Sequence, residues 1–215
     1  MYLTRMKLDT SKRDTMRALR SPNLIHGAVE RAFPGGRDRR LWRLDSLGGE
    51  QYLLLLSGDE PDLASADAQF GDGGGWETLP YEPLLNRIVL GTRWHFRLTA
   101  NPTVSRAETP GKRGKIYAHI TPKFQEKWFL DRAKNLGFAV EESAENEGEK
   151  ALMVTGSHWY RFCKEGRDSL VSLLAVSYEG TLIVTDAELF RKALTEGIGR
   201  GKAYGMGLLT VAREG

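Results

Sequence analysis

Apolar and polar residues alternate in several short stretches of this 215-residue chain. The alternation has the period of two that is typical of half-buried β-strands, and it is clearest over residues 2–8 and 93–99. Residues 40–44 and 51–56 are also strand-like. Because Gly48 and Gly49 lie between these two runs, they predict a β-hairpin.

Apolar residues at helical spacing predict a second set of elements. The first helical region breaks at Ser21-Pro22, since a proline suits the first turn of a new helix. The last region has Asp186 as a candidate N-cap and Gly197 at its C-terminal end. The predicted helical regions are residues 10–33, 59–68, 121–136 and 186–196.

Each half of the chain fits the order strand, helix, strand, strand, helix, strand, which is the ferredoxin-like pattern. We therefore predict an α+β protein made of two tandem ferredoxin-like (βαββαβ, RRM-like) domains with antiparallel sheets. The expected division is an N-terminal domain at 1–80, a linker at 81–91 and a C-terminal domain at 92–215. The remaining predicted strands are 76–79, after a flexible stretch at 71–75, and then 138–142, 152–163, 170–178, 181–184 and 207–212.

Five glycines occur within residues 197–209, which we name the glycine segment. It runs from a helix to a strand, whereas a P-loop or dinucleotide-binding loop runs from a strand to a helix. An alanine also follows its lysine where a Walker motif requires Ser or Thr, so a nucleotide cofactor is not predicted. Two interpretations remain. The segment is either a passive connection or a bare backbone that lies against nucleic-acid phosphates, with Gly199, Arg200, Gly201 and Lys202 as the contacting residues.

The net charge is only +3, but it is unevenly distributed. Lysines and arginines counted against acidic residues give +7 for 1–43, −8 for 44–91, +7 for 92–134, −4 for 135–150 and +1 for 151–215. Charge segregated in this way can form a basic face for a polyanion, although runs of charge can also merely solvate a surface.

Cysteine usage and hydropathy indicate the compartment. The single cysteine, Cys163, excludes an internal disulfide and suits a reducing environment. No apolar run approaches the ~20 residues of a membrane span, and the N-terminus lacks the apolar core of a signal peptide. We therefore expect a cytoplasmic protein without a membrane partner.

One histidine lies where chemistry is possible. His26 falls at the edge of the apolar face of the second predicted helix, where its ring can reach a groove. A histidine at such an edge is either structural or a general acid–base group. His95, His119 and His158 are scattered and are interpreted as structural or peripheral. None of the four has a second His or Cys at ligand spacing, so no metal site is expected.

The chain also resembles the CasE family, the type I-E branch of the CRISPR-associated RNA-processing proteins. Its glycine segment, Gly-Ile-Gly-Arg-Gly-Lys-Ala-Tyr-Gly-Met-Gly-Leu-Leu, is close to the form seen in that family, and the resemblance spans nearly the whole chain. The other matching motifs, in order, are the Met-Tyr-Leu start, Ser-Pro ahead of His26, Leu41-Trp42-Arg43-Leu44, Phe-Arg-Leu-Thr-Ala-Asn-Pro at 96–102, Gly111-Lys112-Arg113, Lys127-Trp128 and Tyr-Glu-Gly-Thr-Leu at 178–182.

The resemblance implies a metal-independent endoribonuclease that cleaves the repeat hairpin of precursor CRISPR RNA at the 3′ base of its stem. Attack by the 2′-hydroxyl would leave 2′,3′-cyclic phosphate and 5′-hydroxyl ends, and the family's essential histidine matches His26. The resemblance also implies no cofactor and a place on mature crRNA within a Cascade-type complex, and we expect a monomer outside that complex. Some members have a tyrosine three residues before the histidine. This chain has Asn23 there, so the residue that assists His26 is left open.

Lysine and arginine clusters are the expected RNA contacts, because an A-form stem is recognised mainly through its shape and phosphates. Besides the glycine segment, the candidates are Arg37, Arg39 and Arg40, then Arg106, Lys112, Arg113 and Lys115, and then Arg161, Lys164 and Arg167.

Two other functions remain possible from the residues. The first is a non-catalytic RNA-hairpin-binding subunit of a CRISPR ribonucleoprotein, which Asn23 keeps open although His26 favours an enzyme. The second is an unrelated RNA-binding ferredoxin-like module, which would require the ordered motif matches to be accidental.

Overall fold

The computed structural model describes residues 1–35, 38–107, 109, 114–143, 147–163 and 170–213. The chain forms two units, neither of which is continuous along the sequence. The first comprises Met1–Arg87, Tyr160–Ser172 and Gly201–Leu208, and the second comprises Ile88–Trp159, Leu173–Arg200 and Leu209–Gly215. The continuous division at residues 80 and 92 remains a prediction of the sequence.

The first unit is built on a four-stranded antiparallel sheet. Its elements, in chain order, are β1 (Tyr2–Leu8), α1 (Arg13–Arg20), α2 (Pro22–Arg31), β2 (Leu41–Leu47), β3 (Glu50–Ser57), α3 (Ala64–Phe70), β4 (Gly71–Pro80) and α4 (Glu82–Leu85). The strand order is β2-β3-β1-β4. The sheet therefore has the ferredoxin-like arrangement that the sequence predicts, with the first helical position divided between α1 and α2.

Alternation in β1 explains where the core of this unit lies. Thr4, Met6 and Leu8 are buried on one face, whereas Arg5 is exposed on the other. Apolar residues of α1, α2 and α3 pack with the buried face. The Thr15 hydroxyl also donates to the Phe70 carbonyl oxygen at 2.9 Å, which links α1 to the end of α3.

The second sheet is again antiparallel. The remaining elements, in chain order, are β5 (Arg93–Ala100), β6 (Thr103–Arg106), β7 (Lys115–Ala118), α5 (Pro122–Ala133), β8 (Phe138–Val140), β9 (Leu152–Cys163), β10 (Leu170–Val184), α6 (Ala187–Glu196) and β11 (Leu209–Ala212). They lie in the second unit, except that the end of β9 from Tyr160 and the start of β10 to Ser172 belong to the first. The strand order is β11-β5-β10-β8, with β9 also paired to β10 and with β6-β7 as a separate hairpin. This is a second ferredoxin-like sheet, so the predicted fold class is confirmed.

Helix α6 shows that the predicted end signals are used. The Asp186 carboxylate accepts a hydrogen bond from the Leu189 backbone N–H at 3.0 Å, and Gly197 follows the helix with a φ of 74°. Phe190, Ala193 and Leu194 form its buried side. The glycine segment therefore starts from a rigid helix end.

Two strand predictions were wrong in detail. The strands predicted at 170–178 and 181–184 are one strand, because Glu179 and Gly180 continue the pairing with β5. Glycine suits this position, since a Cβ there would lie only 2.0 Å from the Ala151 carbonyl oxygen. The stretch at 71–75, predicted to be flexible, is the start of β4. Gly71 pairs with Leu8, and the register with β1 then shifts before the Met6–Trp76 pair.

Helix α4 lies within the predicted linker. Within the described part of the chain, the helices are too short or too polar to cross a membrane.

Candidate active site

His26 lies in the first half of α2, which begins with Pro22 at its first turn. Ser21 precedes this helix but does not cap it through its side chain; its hydroxyl instead donates to Asn23 Oδ1 at 2.8 Å. Ile25 is 1% exposed, whereas the His26 side chain is 36% exposed. The helix thus buries its apolar face and leaves the His26 imidazole at the surface, as the helical spacing predicts.

Two charged side chains follow one another beside the imidazole: Glu30 lies next to His26, and Arg40 binds Glu30. Glu30 follows His26 by one helical turn, and its Oε1 lies 3.9 Å from His26 Nδ1. At this distance the two groups do not form a hydrogen bond, and the carboxylate attracts the imidazole when the ring carries a positive charge. The other oxygen, Oε2, accepts from Arg40 Nη1 at 3.0 Å, and the Arg40 guanidinium lies 4.1 Å over the Phe33 ring. Arg40 therefore holds Glu30 in place beside His26.

An aromatic ring from the glycine segment also meets the imidazole. The centroids of His26 and Tyr204 are 6.2 Å apart with an interplanar angle of 62°, which is an edge-to-face contact. The Tyr204 ring in turn packs on Phe162, at 5.0 Å and 54°. These residues all belong to the first unit. The candidate site is the His26 imidazole with Glu30 on one side and Tyr204 on another.

Neither neighbour of His26 was recognised from the sequence. Glu30 could have been found, because residues four apart on a helix are neighbours. Tyr204 lies 178 positions after His26 within a motif that draws attention to its glycines, so only the tertiary structure brings the two rings together.

The predicted basic residues have different environments. Arg39 is exposed after α2, and Arg161 and Lys115 are exposed on β9 and β7. The Arg40 side chain, in contrast, is only 6% exposed, so its geometry supports holding Glu30 more than contacting a phosphate. Arg106 ends β6, with its guanidinium 5.9 Å over the Tyr117 ring. Five predicted RNA contacts lie outside the described residues: Arg37, Lys112, Arg113, Lys164 and Arg167.

The glycine segment provides four more predicted contacts. Gly199 has a φ of 81°, and a Cβ there would lie 3.2 Å from the Trp128 ring in the second unit. Arg200 is exposed and forms a single bridge with Asn101. Gly201, with φ 84° and ψ 19°, precedes a 3-10 turn that starts at the half-buried Lys202.

The other histidines have local partners. His95 Nδ1 lies 3.2 Å from the Thr181 hydroxyl, and the His119 ring stacks on Phe124 at 5.8 Å. Burial lowers the pKa of His119, and the positive charges of Arg132 and Arg106 lower it further. Across the described ranges, no group of three or more His, Cys, Asp or Glu side chains is placed to hold a metal ion.

Comparison with known proteins assigns the family. Residues 1–213 match the family model described as CRISPR associated protein. The CRISPR-associated endoribonuclease Cse3 of Thermus thermophilus is 34% identical over 220 residues, which cover 99% of this chain and 100% of the relative.

Two solved structures agree with this relationship. A structure of the CRISPR endoribonuclease Cse3 bound to a 19-nucleotide RNA has a TM-score of 0.82 and 31% identity, over 99% of this chain and 100% of that chain. A chain of a CRISPR RNA-guided surveillance complex in a pre-nicking state has a TM-score of 0.66 and 25% identity, and the match covers 100% of both chains. The fold and these matches therefore define an α+β protein of two ferredoxin-like units that is similar to an RNA-bound ribonuclease. The chain belongs to the family of CRISPR-associated proteins.

Proposed function

We propose that this chain is a metal-independent endoribonuclease that cleaves the repeat hairpin of precursor CRISPR RNA at the 3′ base of its stem. The observation that carries the proposal is the surface imidazole of His26 between Glu30 and Tyr204, in a chain 34% identical to an endoribonuclease over nearly its whole length. The chemistry is attack of a 2′-hydroxyl on the adjacent phosphate, which gives a 2′,3′-cyclic phosphate and a 5′-hydroxyl.

His26 is suited to one of the two proton transfers in this reaction. The attacking 2′-oxygen loses a proton, and the departing 5′-oxygen gains one. When Nδ1 carries the ring proton toward Glu30, Nε2 has the lone pair that accepts the 2′-hydroxyl proton. The Glu30 carboxylate then stabilises the positive charge of the imidazolium. A positioned histidine of this kind contributes ~10²–10⁴-fold to a rate.

A basic side chain of the same unit supplies the electrostatic part of the proposal. Lys202 belongs to the 3-10 turn that also carries Tyr204, whose ring contacts His26. Cations near a scissile phosphate stabilise the negative charge that develops in the transition state. We assign Lys202 this role, with the exposed Arg161, Arg200 and Lys115 as contacts to the stem.

The first experiment tests the mechanism with the CRISPR repeat RNA encoded beside the gene. Purified protein is expected to cut one phosphodiester in excess EDTA, and a single 2′-deoxy nucleotide on the 5′ side of that bond should stop cleavage without weakening binding. Loss of cleavage in EDTA that added Mg²⁺ restores would overturn metal independence. Cleavage of the deoxy RNA would overturn the 2′-hydroxyl mechanism.

The second experiment separates an enzyme from a binding subunit, the alternative that Asn23 supports. His26→Ala should lower the single-turnover rate by ~10²-fold or more, with affinity for the hairpin changed by less than about tenfold. His158→Ala, which removes an exposed histidine from β9, is the matched control and should retain the rate. An unchanged rate in His26→Ala would contradict its catalytic role, and wild-type protein that binds without cutting would favour the alternative.

The proposal includes a place in a larger assembly. A chain similar to this one over its full length occurs in a CRISPR RNA-guided surveillance complex. We propose that this protein keeps its cleaved hairpin and joins a Cascade-type complex through that RNA. Co-purification of the tagged protein with crRNA and further subunits from its own cells checks this. Recovery of the protein without RNA would contradict it.

A further inference from the structure

We propose that Tyr204 is a positioning residue for His26, and that the glycine segment serves to bring this ring to the imidazole. The inference rests on the ribonuclease function proposed above. It identifies a residue from another element that assists His26, which the sequence left open.

The first support is the contact itself. The Tyr204 ring meets the His26 imidazole edge to face, with centroids 6.2 Å apart. Phe162 packs against Tyr204 at 5.0 Å, so the tyrosine ring is itself held by an aromatic neighbour. Glu30 reaches His26 from the same helix. The imidazole therefore has one neighbour that acts through charge and another that acts through shape.

The second support is the backbone that carries Tyr204. Gly201 and Gly205 flank a 3-10 turn at Lys202–Tyr204, and both glycines have left-handed φ and ψ angles that other residues rarely adopt. The Tyr204 backbone N–H donates to the Gly201 carbonyl oxygen at 2.8 Å. The turn therefore has a defined conformation, and it directs one particular side chain, Tyr204, toward α2.

The third support is how this turn is anchored to the sheet. A Cβ at Gly205 would lie 2.6 Å from the ring of the buried Trp42, so the backbone lies directly on that ring. Three residues later, the Leu208 carbonyl oxygen accepts a hydrogen bond from Arg43 Nη1 at 2.8 Å. Arg43 is held by Asp45 through two contacts of 2.6 Å. The glycines thus permit close packing on β2, and this packing sets the position of Tyr204.

The consequence for the reaction follows from orientation. An imidazole that accepts a proton from a 2′-hydroxyl must keep its nitrogen within hydrogen-bond reach of that oxygen. Loss of the Tyr204 ring leaves His26 free to rotate away on its exposed side. A misplacement of about 1 Å can reduce a rate by ~10²-fold. Tyr204→Leu should therefore lower the single-turnover rate by about 10- to 100-fold, while hairpin affinity changes by less than about threefold.

Conservative and matched variants separate positioning from general stability. Tyr204→Phe keeps the ring and should retain the rate within about threefold. Tyr52→Leu removes another half-buried tyrosine of the same unit, one that lies under Arg5, and should leave the rate within about twofold. In the His26→Ala background, Tyr204→Leu should cause no further loss, because the group it positions is gone. A Tyr204→Phe rate as low as that of Tyr204→Leu, or independent losses in the double variant, would overturn the proposal.

A readout without RNA distinguishes failure of this inference from failure of the proposed function. In protein with ¹⁵N-labelled histidine, NMR detects the side chains of all four histidines. Tyr204→Leu should shift the His26 ring signals and leave those of the other three in place, and Tyr204→Phe should keep the wild-type position. Unmoved His26 signals would overturn the contact even if the enzyme is active. Shifted His26 signals in a protein that never cuts RNA would support the contact and refute the proposed function.

Discussion

Substitution of Gly205 by alanine tests whether the glycine segment is packed or passive. Two effects oppose alanine at this position. The left-handed conformation, with φ 76° and ψ 25°, costs a residue with a Cβ about 1–2 kcal/mol. The new Cβ would also lie 2.6 Å from Trp42 Cζ3 and 3.0 Å from two further ring atoms, well inside a normal carbon–carbon contact.

The size of the second effect depends on whether Trp42 can move. Trp42 is 1% exposed and belongs to the core of the first unit, so the clash falls into the range for overpacking, about 1–3 kcal/mol. Together the two effects predict that Gly205→Ala lowers the free energy of unfolding by about 2–5 kcal/mol. This is a large part of the total of about 5–15 kcal/mol for a typical protein.

Gly49→Ala is the matched control. Gly49 has a φ of 85°, but no atom lies within 4 Å of the Cβ it would gain, so only the conformational cost of about 1–2 kcal/mol applies. Urea unfolding followed by tryptophan fluorescence measures both variants. If Gly205→Ala is no less stable than Gly49→Ala, the segment does not pack on Trp42, and the positioning of Tyr204 by its backbone is refuted.

Two further predictions concern salt and pH. Lys202→Ala should weaken hairpin binding and reduce the magnitude of the slope of log affinity against log salt concentration by up to about 1, because one phosphate contact is lost. Lys192→Ala, on the exposed side of α6, is the control and should leave the slope unchanged. Equal slopes for both variants would contradict the contact. Burial raises the pKa of the Tyr178 hydroxyl. Above pH ~10 this hydroxyl therefore loses its proton in the unfolded chain before it does so in the folded protein. As a result, the free energy of unfolding should fall by about 1.4 kcal/mol per pH unit from this group. Tyr178→Phe should flatten the alkaline decline measured by urea unfolding, and an equally steep decline would contradict the assignment.

Much of the fold could be predicted because its strands are half-buried. Residues 2–8 and 93–99 alternate, and these runs became the central strands β1 and β5. The elements that were weakly marked have little apolar sequence. Helix α3 has only seven residues, with Ala66 and Phe70 buried, and β4 begins with a run of glycines. Their structure depends on pairing with β1 and on the core beneath, which local patterns do not contain.

The candidate site also has a part that the sequence predicts and a part that it does not. The exposure of His26 follows from helical periodicity, and Glu30 from the four-residue spacing on one helix. Arg40 illustrates the opposite case, because an arginine in a basic run suggests a solvent-exposed phosphate contact. Its burial against Phe33 depends on where the chain after α2 returns. Charge in the sequence therefore predicts candidates for RNA contact, and the structure shows which candidates already bind other side chains of the protein.

The glycine segment illustrates both what the sequence predicts and what only the tertiary structure adds. From its composition it is either a passive tail or a backbone that lies against phosphates, and neither interpretation gives the glycines a role in packing within the protein. The structure adds a third use, since Gly205 allows the backbone to lie on Trp42 and thereby places Tyr204 against His26. If Lys202 also contacts a phosphate, binding and chemistry share a single turn of backbone. A change in that turn should then alter affinity and rate together, whereas a change in the Tyr204 ring alone should alter only the rate.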